Sequence, residues 1–320
     1  MQRIQGIHHI TAVAGDPQRN VNFYHEVLGQ RLVKTTVNFD DPGTYHLYYA
    51  DEIGTPGTVL TFFPWRHMKR GVRGNGEVGT VGYTIPLEAV GYWRDRLAHY
   101  QIDVREETRF TAPTLVFEDP DGMGLELIGS DEPGHIRFWS QGPIPERVAL
   151  RGFHSATLFV DNIARIDPLL TDVMGYTRVG ADGDRVRYGG ASDDIGLYLD
   201  LVERPGAPAA QFGAGSVHHI AFRTVDDAEQ LEYQKALALS GYGVSPVRDR
   251  QYFNSIYFRE PNGVLFEVAT DAPGFLVDET VETLGTALKL PSWYESQRPA
   301  IEARLPKLVL PDFVPQAANG

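Results

Sequence analysis

The 320-residue chain contains no cysteine. Disulfides, thiolate metal sites and thiol nucleophiles are thereby excluded, and any bound metal must rest on histidine and carboxylate side chains. Basic residues are scarce as well: 29 Lys and Arg stand against 42 Asp and Glu, a net charge of −13. That balance argues against nucleic acid or an anionic membrane as the main partner. The sequence has no apolar run of about 18 residues, and no charged segment followed by an apolar stretch at its start. Neither a membrane span nor a secretory leader is read, and a cytoplasmic location is expected. With 42% hydrophobic and 22% charged residues, the chain can bury a full core, and its length suits two domains.

What is present is repetition. FEDPDGMGLELIG (117–129) and FREPNGVLFEVAT (258–270) are copies, each an aromatic, a proline, an Asp-Gly or Asn-Gly turn and then a strand. Glutamate falls six residues after proline in both, at Glu126 and Glu267. The segments before them, 85–104 and 225–244, have helical period. The first and third quarters follow the same plan. Strand 7–13, a helix about 17–28, Gly29 and strands 31–38, 45–50 and 58–63 match strand 153–160, a helix about 162–174, Gly175 and strands 177–180, 185–188 and 195–202. Four βαβββ modules are predicted, at 6–64, 78–130, 152–203 and 216–271. Grouped in pairs along the chain, they give domains 1–135 and 150–272. The extension 273–320 carries a short helix near 292–303 and a proline-punctuated tail that reads as a strap.

Paired histidines open the first and fourth modules, as GIHHIT (6–11) and SVHHIA (216–221). Neighbouring side chains of a strand point to opposite faces, so one histidine of each pair is expected to face a shared site. Aspartate at a helix start fixes the register. Asp16, Asp161 and Asp226 each follow a histidine by seven residues, which makes His9, His154 and His219 equivalent. His8 and His218 then flank them, with Phe153 in the third module. Glu126 and Glu267 share the last-strand position. The first module has Thr61 in that vicinity, and Asp200 of the third is read as too near its strand end. Two histidines and one carboxylate on a rigid sheet suit a non-haem Fe(II) or Mn(II) site with open coordination positions. Glu267 lies within the apolar run LFEVA, where a carboxylate needs a partner or a metal. His9 and His154 are not separated by this register.

The modules, with first-strand His and last-strand Glu, resemble the vicinal oxygen chelate superfamily, over residues 6–271. GIHHIT, VHHIAF (217–222), DRQYFNSIYFREPNG (249–263), LFEVATDAPGF (266–275) and LPSWYESQR resemble its ring-cleaving hydroquinone dioxygenases. The resemblance implies an α+β fold whose four βαβββ modules form two cup-shaped mixed sheets. It implies that modules one and four share a cup, with His9, His219 and Glu267 as metal ligands. His154 and Glu126 would then sit in a second, incomplete cup. An extradiol catechol dioxygenase would instead take His154, His219 and Glu267. By the same resemblance, Tyr257 could move a proton and Arg250 could stabilise negative charge on oxygen. His8, Thr11 and His218 would flank the ligands. The expected function is Fe(II)-dependent 1,2-cleavage of a hydroquinone-type diol, with a small aromatic and O2 as partners. A glyoxalase-type isomerase and a non-catalytic aromatic or drug binder are the alternatives; the missing fourth ligand counts against the former. Apolar module edges leave room for a homo-oligomer.

Overall fold

A computed structural model describes residues 3–191, 195–311 and 313. Module one consists of β1 (Ile7–Ala14), α1 (Pro17–Val21) with a π-helical turn to Val27, β2 (Arg31–Asn38), β3 (Asp41–Ala50) and β4 (Val59–Pro64). Module two has β5 (Glu77–Pro86), α2 (Val90–His99), β6 (Arg105–Arg109), β7 (Ala112–Glu118) and β8 (Gly124–Ser130). In module three, β9 (Phe153–Val160) is followed by short helical turns at Ile163–Arg165 and Leu169–Val173, then β10 (Thr177–Asp182), β11 (Arg185–Gly189) and β12 (Tyr198–Glu203). Module four has β13 (Val217–Thr224), α3 (Asp227–Leu239), β14 (Arg248–Asp249), β15 (Phe253–Arg259) and β16 (Leu265–Pro273). The third-module helix is thus broken into turns, and its last strand starts at Tyr198 rather than 195.

The modules pair across the chain rather than along it. One eight-stranded sheet runs β14-β15-β16-β13-β1-β4-β3-β2 and joins modules four and one. The other runs β10-β11-β12-β9-β5-β8-β7-β6 and joins modules three and two. At each centre the two first strands meet antiparallel, β1 with β13 and β5 with β9. Each first strand also pairs in parallel with the last strand of its own module. Alternation then sorts the side chains. Ile10 and Ala12 of β1, and Ile220 and Phe222 of β13, enter a large apolar cluster that also takes Val81, Ala156 and Leu158 from the second sheet. His9, Thr11 and His219 are left for the concave face.

The C-terminal extension lies along module one as a strap. Lys34 of β2 is fully buried and binds Asp278, Glu279 and the Phe275 carbonyl. Leu288 bridges to Thr35, Tyr294 donates to the Phe39 carbonyl, and Tyr45 donates to the Pro306 carbonyl. The predicted helix shortens to α4 (Arg298–Glu302) after a turn at Glu295–Gln297. Residues 312 and 314–320 of the expected tail lie outside the described residues.

Candidate metal centre

The two-sided pairing of β13 brings the three expected ligand residues together. Its antiparallel register with β1 sets His9 opposite Ala221 and Thr11 opposite His219. Its parallel register with β16 sets Ala221 beside Glu267. The His219 Nε2 lies 2.9 Å from the Glu267 Oε2, the His9 Nε2 lies 3.6 Å from it, and the two Nε2 atoms are 3.4 Å apart. Octahedral ligands at about 2.1 Å and right angles stand about 3.0 Å from one another, so these atoms approximate one triangular face. All three residues are buried, and among the described residues they form the sole group of three or more such donors close enough to hold a metal ion.

Glu267 is held for that task. Ser255 Oγ donates to its Oε1, while its Oε2 has no well-aligned hydrogen-bond donor among the described residues. Burial would raise the carboxyl pKa, but the adjacent His9 and His219 hold it well below the usual carboxylate range. Burial pushes the His219 imidazole down, leaving a neutral ring with a free lone pair. A buried anion with an orphan oxygen and two imidazole nitrogens facing one point fits a divalent cation.

The flanking histidines depart from the expected alternation. The pairing shifts between Ile7 and His9 in β1, and Ala12 pairs with Val217 directly after Thr11 with His219. His8 and His218 are therefore the extra residues of two β-bulges, and a bulge re-aims its side chains. The Nδ1 of His8 lies 2.9 Å from that of His9, and the Nδ1 of His218 lies 2.8 Å from that of His219. His218 lines the same cavity as the ligand candidates, whereas His8 packs behind them against Phe253. Placing His218 on the opposite strand face is thus corrected, and the bulge is the reason.

Bulges and caps also correct the third module. Its helical turn is capped by Asn162, not Asp161; Asn162 accepts from the Ala164 N–H, while Asp161 binds the Gly206 N–H. Counting seven residues back from the true cap reaches Ser155. The register agrees: Thr157 pairs with Asp200 as Thr11 pairs with Thr61, and His154 is the bulged residue between Phe153 and Ser155. Ser155 occupies the position of His9, and His154 that of His8. Asp200 is fully buried at the carboxylate position, not lost at a strand end. In this second cup Arg187 forks onto Asp200 at 2.8 Å twice, and Arg185 joins Asp200 and Glu126 at 3.2 Å each. Arg109 binds Glu126 at 3.4 Å and also pairs with Glu107.

The first cup keeps a cavity of about 310 Å³. Thr11, Arg250 and Tyr257 line it, with the Arg250 Nε donating to the Tyr257 hydroxyl at 3.1 Å. Burial raises the Tyr257 pKa, so its proton is held. Sequence reasoning missed His46, Tyr48, Phe63, Trp65 and Phe253, which form the wall together with residues 38–41, and Ser255 beneath Glu267. The alternation in YHLYY (45–49) was the available signal for His46 and Tyr48. Among the described residues, no helix is long and apolar enough to cross a membrane.

Comparison with known proteins agrees with this architecture. A family model described as the Glyoxalase/Bleomycin resistance protein/Dioxygenase superfamily matches residues 6–127 and 152–268. The chain is 49% identical over 304 residues to MhqO of Bacillus subtilis (strain 168), provisionally named a ring-cleaving dioxygenase, covering 95% of this chain and 96% of that protein. It is 39% identical over 302 residues to the chlorohydroquinone/hydroquinone 1,2-dioxygenase of Sphingobium indicum, covering 90% and 92%. A crystal structure of a Bacillus subtilis protein, provisionally described as a dioxygenase, matches with a TM-score of 0.94 at 48% identity, covering 98% and 100%.

Proposed function

We propose that this chain, which belongs to the Glyoxalase/Bleomycin resistance protein/Dioxygenase superfamily, is a ring-cleaving dioxygenase that holds Fe(II) on His9, His219 and Glu267 and opens hydroquinone-type diols by 1,2-cleavage. The observation that carries this reading is the buried His-His-Glu face opening on an aromatic-walled cavity, in a chain whose relatives are named ring-cleaving dioxygenases. Two histidines and one carboxylate with open positions are the ligand set of non-haem Fe(II) oxygenases, and Mn(II) would accept the same donors. When bound, the metal would supply adjacent positions for a phenolate oxygen and O2 and a path for electrons between them.

The side chains supply the rest. Ser255 fixes the Glu267 carboxylate, and His8 and His218 fix the ring orientation of His9 and His219 through their Nδ1 contacts. Phe63, Trp65 and Phe253 form apolar walls for an aromatic ring and exclude water. Arg250 is placed to stabilise negative charge that develops on oxygen, and the Tyr257 hydroxyl beside it can donate a proton to such an oxygen. Both atoms of O2 enter the opened ring, which supplies the electrons, so no further reductant is needed.

Thr61 at the fourth carboxylate position weighs against a glyoxalase-type isomerase. Ser155 at the His9 position weighs against a catechol dioxygenase site built on His154. The test is O2 uptake by Fe(II)-loaded protein given hydroquinone, methylhydroquinone or catechol. Uptake with the hydroquinones is expected; no uptake with any of the three would reject the reading.

A further inference from the structure

A line of polar side chains enters the cavity wall from β3, β4 and β1. The Tyr48 hydroxyl lies 2.8 Å from the His46 Nδ1, the His46 Nε2 lies 2.8 Å from the Thr61 Oγ, and the Thr61 hydroxyl donates to the Thr11 Oγ at 2.8 Å. Thr11, Tyr48 and Thr61 are buried, and Thr11, His46 and Tyr48 line the cavity. Proton counting gives the chain a direction. Thr61 has one hydroxyl proton and commits it to Thr11, so it must accept from the His46 Nε2–H. A neutral His46 then has a bare Nδ1, which accepts the Tyr48 proton. Burial lowers the His46 pKa, in keeping with the neutral ring. Two cavity-lining residues are left with spare capacity: Thr11 has its hydroxyl proton to donate, and the Tyr48 oxygen has a lone pair to accept with.

We propose that Thr61 and His46 are positioning residues that set this polarity, so that the site selects an aromatic diol whose second, unligated hydroxyl donates to Tyr48. The inference deepens the dioxygenase reading and rests on it for the placement of the first hydroxyl. It explains a requirement that the three ligands leave open. The oxygens of a 1,4-diol are too far apart for both to reach one metal, so the second hydroxyl needs its own acceptor. A methyl ether at that position has no proton to give and would place two lone-pair-bearing oxygens against each other. Thr61 touches neither substrate oxygen in this scheme. Its removal acts by freeing the His46 tautomer: without an acceptor at Nε2, the proton moves to Nδ1 and points at the Tyr48 oxygen. The Tyr48 proton then turns into the cavity, and the acceptor becomes a donor.

The experiment measures anaerobic binding of hydroquinone and 4-methoxyphenol to Fe(II)-loaded protein by titration calorimetry. The wild type is expected to bind hydroquinone about tenfold more tightly. Thr61→Val should erase or invert that preference, and Thr61→Ser, which keeps the hydroxyl, should restore it. Tyr48→Phe should also erase it, with metal content and melting temperature of each variant measured alongside. Equal binding of the two ligands by the wild type, binding of neither, or a Thr61→Val variant that keeps the preference would overturn the proposal. If the wild type shows the preference and its loss in Thr61→Val but consumes no O2, the polarity stands and the dioxygenase reading falls.

Discussion

The two cups use the same eight-stranded frame and the same four register positions for opposite ends. In the first, the positions hold His9, His219, Glu267 and Thr61; in the second, Ser155, Thr80, Glu126 and Asp200. The first has one carboxylate faced by two imidazole nitrogens, and a cavity beside it. The second has two carboxylates, and guanidinium groups fill the space between them. Arg187 is further stacked between Phe110 and Tyr198, at 3.9 and 4.5 Å from their ring centres. The difference teaches that the fold supplies converging positions, and that the cation source separates the roles. Where the chain provides its own cations, the cup is closed as a structural core. Where the arginine of the wall, Arg250, binds Tyr257 and not the carboxylate, an anion and two imidazole nitrogens remain for a cation from solution.

The sharpest way to break this comparison is to remove the anion of the first cup. Glu267→Gln should lower Fe(II) affinity by more than about 100-fold, since even outer partners of metal ligands are worth 10–100-fold. Metal analysis after gel filtration, with O2 uptake, reads the result; retained iron would sink the ligand assignment. Removing an anion from the second cup should act on stability instead. Asp200→Ala leaves Arg187 without its buried fork partner, at a cost of about 3–5 kcal/mol in urea unfolding, with iron per folded chain unchanged. A variant that loses iron at normal stability would mean that the two cups are not separate in role.

The two histidines on the equivalent strands β1 and β9 give a finer contrast. His9→Ala should empty the metal site, whereas His154→Ala should leave bound iron within about twofold of wild type, because His154 faces neither Glu267 nor the cavity. Iron content of the two purified variants decides it. The smallest effect is a pH slope. Burial, with Arg187 nearby, lowers the His154 pKa to about 3. Below pH 6.5 the unfolded chain therefore takes up a proton that the folded chain refuses, and stability falls as pH falls, by about 1.4 kcal/mol per unit for this group until its folded pKa is approached. His154→Gln should flatten the slope between pH 6 and 4.5 by about that amount in urea unfolding of metal-free protein. An unchanged slope would show that His154 is protonated in the fold.

Much of this was legible in the chain. The repeated Pro-x-Gly strands exposed Glu126 and Glu267, and the HH pairs marked β1 and β13. The register of module three was misread because Asp161 and Asn162 are adjacent and either can cap; only the hydrogen bond to Ala164 tells them apart. His218 was assigned to the wrong face because a bulge breaks the two-residue period and leaves no local mark in composition. His46 and Tyr48 were missed because their significance lies in Thr61 and Thr11, which come from two other strands.

By itself, then, the sequence determined the module boundaries, the apolar faces of the strands and the supply of donors free of cysteine. Those follow from local periodicity and residue chemistry, which act over a few positions. The tertiary structure decided which modules share a sheet, that Ser155 rather than His154 matches His9, and that the arginines of module three neutralise Glu126 and Asp200. These depend on antiparallel pairing of β1 with β13, some two hundred residues apart, and of β5 with β9, and on bulges set by those pairings. A metal face needs three atoms within a few ångströms, and only long-range register can bring β1, β13 and β16 to that distance.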